Sequence, residues 1–145
     1  TIPFWKRRKV WLKLDEAEGE ILDFTMFAAT TGETFGGGYQ VCPGVTPLDK
    51  DGTIVYAPRL SRIAMLSLMG PMKKGKHIGK WGITKQKANR IEIKPVDSDG
   101  NICEKPLPLS TWVQVDGEPI IVSPATLEWH TEQLLVRGSK DVPWA

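Results

Sequence analysis

Cysteine and histidine are scarce in this chain. Cys42 and Cys103 lie far apart with no C-x-x-C pattern, and His77 and His130 stand alone. That excludes the usual zinc spacings and a disulfide-built scaffold, and it favours two reduced thiols of a cytosolic protein over one disulfide. No apolar run approaches the roughly 18 residues of a membrane span. The N-terminus lacks the apolar centre of a signal peptide. Its first residue is Thr1 rather than Met, as in a processed chain or a piece of a longer one. There is no internal repeat, low-complexity segment or linker. The glycine-rich stretch lacks the Lys-Ser/Thr ending of a nucleotide P-loop and does not read as a dinucleotide fingerprint.

What is present is ordinary for one globular domain: 145 residues, 41% hydrophobic and 25% charged. The net charge of +2 conceals segregation. Lys6 to Lys9 is a basic run. Lys73, Lys74, Lys76, Lys80, Lys85, Lys87 and Arg90 follow one another with no acid between them. Such a segment favours phosphates, acidic lipid surfaces or nucleic acid, or else forms a solvated lysine-rich loop.

Alternation of Val10, Leu12 and Leu14 predicts a strand, paired in a hairpin with the apolar run Ile21 to Ala29. The segment from Thr30 to Gly44 cannot be regular helix or well-packed strand, because of Gly36, Gly37 and Gly38. Gly52 to Tyr56 and Arg90 to Lys94 read as strands, as do Trp112 to Val115, Ile120 to Val122 and the alternating Leu127, Trp129 and Thr131. Leu134 to Val136 extends that last region. Pro58 to Met69 predicts a helix, ended by Gly70-Pro71, with its methionines filling the core. Pro106 and Pro108 suit an extended connection, and Lys140 to Ala145 a tail. Many short strands and one helix predict a mainly β fold, a two-layer sandwich or barrel with a helical insertion. Three Asp-Gly pairs occur, at Asp51, Asp99 and Asp116, and each alone means only a turn.

Four segments occur in a telling order: "TFGGGYQVCPG" (Thr34 to Gly44), "DGTI" (Asp51 to Ile54), "GKHI" (Gly75 to Ile78) and "VQVDGEP" (Val113 to Pro119). From about Val10 to Val136 the chain resembles the C-terminal β-sandwich half of the diacylglycerol kinase catalytic family, which includes sphingosine and ceramide kinases. The resemblance implies one β-rich domain over residues 1–145, a fragment without the N-terminal nucleotide-binding domain and its Gly-Gly-Asp-Gly-Thr loop. The fragment alone is expected to be inactive.

The resemblance also implies roles. Glu118 would be the general base that takes the proton from a lipid hydroxyl attacking the γ-phosphate of ATP, with Asp116 in support. Gly36, Gly37 and Gly38 would form a cofactor-side loop. Asp51, with the carbonyls of Leu48 and Thr53, would hold a structural Mg²⁺, besides the Mg²⁺ that accompanies ATP. The chain departs from the family twice. Its spacing from Pro43 to Asp51 is two residues longer, so Asp49 competes for the metal position, and Thr31 replaces a frequent Asn. Asp99-Gly100 matches no family motif and stays a turn. His77 is expected to hydrogen-bond nearby backbone rather than act as a base.

The implied protein is a cytoplasmic lipid kinase of phospholipid biosynthesis, peripheral to the membrane. Its partners would be a lipid substrate and an anionic membrane surface, not nucleic acid, and a homodimer is allowed. Two rivals stand beside it: a non-catalytic β-sandwich module binding anionic membranes, and the related NAD kinase class, against which Asp-Gly-Glu argues.

Overall fold

The computed structural model describes residues 9–105 and 124–130, and the strand pairing of 112–115 and 118–121. Six antiparallel strands form one sheet in the order β4-β3-β2-β1-β5-β8. They are β1 (Lys9–Leu14), β2 (Glu20–Thr30), β3 (Thr53–Pro58), β4 (Thr84–Lys87), β5 (Arg90–Pro95) and β8 (Ala125–Glu128). Between β5 and β8 in the chain, β6 (Trp112–Val115) and β7 (Glu118–Ile121) pair in a separate ladder. The helix α1 (Arg62–Lys73) follows β3. The mainly β expectation holds, as do the first hairpin and the strands at β3, β5, β6, β7 and β8.

Strand β2 serves two partners. Its first residues pair with β1, and from Phe24 onward it pairs with β3. A register shift between Phe24 and Met26 marks the changeover. Such an extra residue bends the strand and redirects a side chain. Here it is Thr25, whose Oγ1 accepts the Leu60 N–H at 2.8 Å and so fixes the approach to α1.

Strand β3 is buried on both faces. Val55 and Ala57 join Val41, Cys42, Val45, Leu60, Leu68 and Ile83 in one core cluster. Ile54, pointing the other way, joins Val10, Leu12, Ala88, Ile91 and Ile93 in a second. The core therefore lies on both sides of this strand, and the glycine-rich segment is pinned to the first side by Val41 and Cys42.

The helix is displaced from the predicted span. Pro58 ends β3, and Ser61 is the true N-cap, its Oγ accepting the Ala64 N–H at 3.2 Å. Gly70-Pro71 lies inside the helix and does not end it. The stop is Gly75 at φ +65. Lys76 N–H donates to Pro71 O at 2.8 Å and Gly75 N–H to Met72 O at 3.2 Å, the paired bonds of a Schellman end. The two expected core methionines divide: Met65 packs on the first cluster, joined there by Met72 from beyond the predicted span, while Met69 is exposed. The expected elements at Pro106 to Pro108, Leu134 to Val136 and Lys140 to Ala145 lie outside the described residues.

Candidate functional site

The glycine triplet forms the tip of a tight turn closed by reciprocal Phe35 and Tyr39 backbone bonds at 2.9 and 3.1 Å. Gly36, Gly37 and Gly38 all have positive φ, and an added Cβ would meet nothing within 4 Å. Backbone angle, not crowding, requires glycine there. Behind the tip, Glu33 braces the loop. Its carbonyl accepts the Cys42 N–H at 3.0 Å and its carboxylate the Gly44 N–H at 2.9 Å.

His77 fastens the segment after α1 to this loop. It is fully buried, and its Nε2 lies 3.0 Å from the Val41 carbonyl. A carbonyl only accepts, so Nε2 carries the proton and Nδ1 is the bare nitrogen, without a partner. Burial holds the pKa below the ordinary histidine value. A neutral imidazole tied to backbone is the structural part expected for "GKHI". Gly75 sits against the same loop, since a Cβ there would lie 2.8 Å from Gln40 Oε1 and 3.0 Å from Pro43 Cβ.

Asp51-Gly52 lies at the mouth of β3. The Asp51 carboxylate accepts from Asn89 Nδ2 at 3.2 Å and from Lys87 Nζ at 3.2 Å, one bond to each oxygen. The Asn89 bond first, then Lys87, lowers its pKa. Gly52 is glycine for lack of space: a Cβ would overlap the Trp129 ring and come within 2.6 Å of the Ala88 carbonyl. Asn89 is the hub of the cluster. Its Oδ1 accepts the Gly52 N–H at 3.3 Å, its carbonyl accepts the Trp129 N–H at 2.9 Å, and its own N–H donates to Asp15 Oδ1 at 2.8 Å. Asp15, in the β1–β2 turn at φ +47, also accepts the Arg90 N–H at 2.8 Å. One two-residue turn between β4 and β5 thus ties together three distant loops.

These residues do not fit a Mg²⁺ as they are arranged. Only one carboxylate is present, and the Lys87 ammonium that already neutralises it would face the dication across the same oxygen. The rival Asp49 turns inward on its own loop, accepting the Thr46 N–H at 3.1 Å and the Thr46 hydroxyl at 3.2 Å. Leu48 is exposed, and Thr53 is buried within β3 between Thr30 and Lys87. Among the described residues no group of three or more His, Cys, Asp or Glu converges. Strand β4 links both loops, because Lys85 and Lys87 share a face of the strand. Lys85 Nζ donates to Pro43 O at 2.6 Å behind the glycine tip, while Lys87 reaches Asp51.

In the β6–β7 ladder the last pair is Val115 with Glu118. Asp116 and Gly117 come between them in the chain and lie outside the described residues, as does the Glu118 side chain. Asp99-Gly100 is the turn expected of it. The Asp97 carboxylate takes the N–H groups of Asp99 and Asn101, with Gly100 at φ +91.

The family described as "YegS C-terminal NAD kinase beta sandwich-like domain" matches residues 1–137. The chain belongs to this family. Two solved structures of a "putative diacylglycerol kinase" from Bacillus anthracis str. Sterne resemble it. One is 22% identical with a TM-score of 0.51, covering 69% of this chain and 37% of that one. The other is 19% identical with a TM-score of 0.47, covering 76% of this chain and 37% of that one. At this identity the first likeness speaks for the fold. The matched part spans little more than a third of those chains. No curated protein matches. No helix among the described residues is long and apolar enough to cross a membrane.

The residues that sequence reading missed are Asn89, Asp15 and Lys87. The signal for Asn89 was the Ala88-Asn89 pair between two short runs, the length of a tight hairpin loop.

Proposed function

We propose that this YegS-type domain is the acceptor-side part of an ATP-dependent lipid kinase, which transfers the γ-phosphate to the hydroxyl of a lipid such as diacylglycerol. Family membership over residues 1–137 carries the reading, joined by an Asp-Gly-Glu at the junction of β6 and β7. ATP and its Mg²⁺ are bound mainly by a nucleotide-binding domain outside this chain, with the Gly36–Gly38 tip on the nucleotide side. That Mg²⁺ neutralises phosphate charge. Glu118 accepts the proton of the lipid hydroxyl as its oxygen attacks phosphorus, and Asp116 supports the carboxylate. A primary hydroxyl is a poor nucleophile, so a carboxylate at hydrogen-bonding distance supplies what it lacks.

The test is Glu118→Gln in the whole protein. Lipid phosphorylation should fall by about 10²-fold or more, in the range typical for loss of a general base, while ATP affinity and thermal stability stay at wild-type values. Wild-type turnover in that variant would remove Glu118 from the mechanism.

A further inference from the structure

Trp81 occupies a position that a bulky residue rarely takes. It lies in the three-residue 3-10 turn Lys80–Gly82 at φ +48, ψ +36, in the left-handed region that favours glycine. Gly79 and Gly82 beside it also have positive φ. The turn is closed by bonds from Gly79 N–H to Ile83 O at 2.8 Å, from Ile83 N–H to Lys80 O at 2.9 Å and from Lys80 N–H to His77 O at 3.0 Å. His77 and Ile83, at its two ends, are both buried. Gly82 rests close against the Pro58 ring. The backbone is thus a fixed pedestal, yet the indole it presents is 51% exposed. The fold holds a strained conformation at a residue whose large apolar side chain is left half exposed.

The charges in the chain on either side of it, from Lys73 to Arg90, are of one sign. Lys73, Lys74, Lys76 and Lys80 are exposed, and no ammonium among them makes an ion pair or hydrogen bond among the described residues. Lys85 and Lys87, by contrast, are used inside the fold. An indole, apolar with one N–H donor, suits the boundary between lipid headgroups and acyl chains. Unpaired lysine ammonium groups in the same segment complement anionic headgroups. A single aromatic gives no row of stacking platforms for successive bases, which speaks against a nucleic acid strand.

We propose that the segment from Lys73 to Gly82 is the membrane-contacting surface of this domain, with Trp81 seated in the interface of an anionic bilayer and the four lysines on lipid phosphates. The proposal rests on the reading of the acceptor as a lipid. It is tested by binding, without turnover, so that turnover of a short-chain monomeric acceptor reads the kinase proposal separately.

The experiment is sedimentation of the whole protein with phosphatidylcholine vesicles, with and without phosphatidylglycerol, over a salt series. Binding should require phosphatidylglycerol and weaken with salt. Trp81→Gly should lower the partition coefficient about tenfold. It should leave the melting temperature unchanged or raise it, since glycine relieves the backbone strain. Replacing the four lysines by glutamine should remove the salt dependence. Inorganic phosphate at millimolar concentration, or a short single-stranded oligonucleotide, should not compete. Wild-type partition of Trp81→Gly, equal binding to both vesicle types, or displacement by phosphate or oligonucleotide would overturn the assignment.

Discussion

Acidification from pH 7.5 to 5.5 should destabilise this domain through His77. The ring is fully buried, donates from Nε2 to Val41 O at 3.0 Å, and leaves the acceptor Nδ1 without a donor. Burial holds its pKa below the ordinary value of 6.5. The unfolded chain takes up a proton near pH 6.5 while the folded one resists it. The stabilisation is therefore complete above pH 6.5, declines as pH falls from there toward the lower folded value, and levels off below that. The steepest slope for one such group is about 1.4 kcal/mol per pH unit. Even a folded ring that took up no proton would lose only about 1.4 kcal/mol in total between pH 7.5 and 5.5, most of it below pH 6.5, so at about 2–4 °C per kcal/mol for a chain near this size the melting temperature should drop by up to roughly 3–6 °C across the whole window. Asp51 and Asp97, whose pKa values are lowered, lose their contribution only as pH falls below the ordinary carboxylate range, outside this window. Thermal unfolding followed by circular dichroism at pH 7.5, 6.5 and 5.5 reads the effect. His77→Phe strands the Val41 carbonyl and should cost about 1–3 kcal/mol at pH 7.5, but its profile across the window should be flatter. A wild-type melting temperature that is constant from pH 7.5 to 5.5, or an unchanged slope in His77→Phe, would refute the reasoning.

Two glycines should respond differently to alanine. Gly52→Ala drives a Cβ into the Trp129 ring and against the Ala88 carbonyl, and urea unfolding should show a loss of about 3 kcal/mol. Gly37→Ala meets open space and should cost about 1 kcal/mol, the expense of φ +72 alone. Because the Lys87 ammonium already neutralises the Asp51 carboxylate, EDTA should leave the melting temperature of the domain unchanged. A Mg²⁺-dependent rise would contradict that arrangement. Burial pushes the Cys42 thiol up to about 11, so at pH 8 a disulfide reagent should titrate Cys103 and reach Cys42 only on unfolding.

Strands with an apolar face were legible because burial imposes a period of two. Val10 and Leu12 in β1, and Ile91 and Ile93 in β5, are the buried members of their alternations. Strand β4 was not legible. Its four residues, Thr84 to Lys87, are all exposed, and only pairing with β3 makes them a strand. The helix was placed early because Pro58 and Leu60 share its apolar character, while the N-cap Ser61 lies after them. Its end was missed because Gly70-Pro71 resembles a stop, yet the left-handed residue that closes it is Gly75. At the site, the motif order located the glycine turn, Asp51-Gly52 and the "GKHI" segment. It did not reveal Asn89, whose bonds to Asp15, Gly52 and Trp129 join segments distant in sequence. Nor did it show that Lys87, part of a run that reads as a solvated basic face, is spent on Asp51.

The most direct measurement supplies the whole protein with labelled ATP, Mg²⁺, and either diacylglycerol or NAD as acceptor. Label should appear in the lipid as its phosphate ester, and not in NAD. Transfer to NAD, or none to any lipid hydroxyl by a folded whole protein, would contradict the assignment of this domain to a lipid kinase.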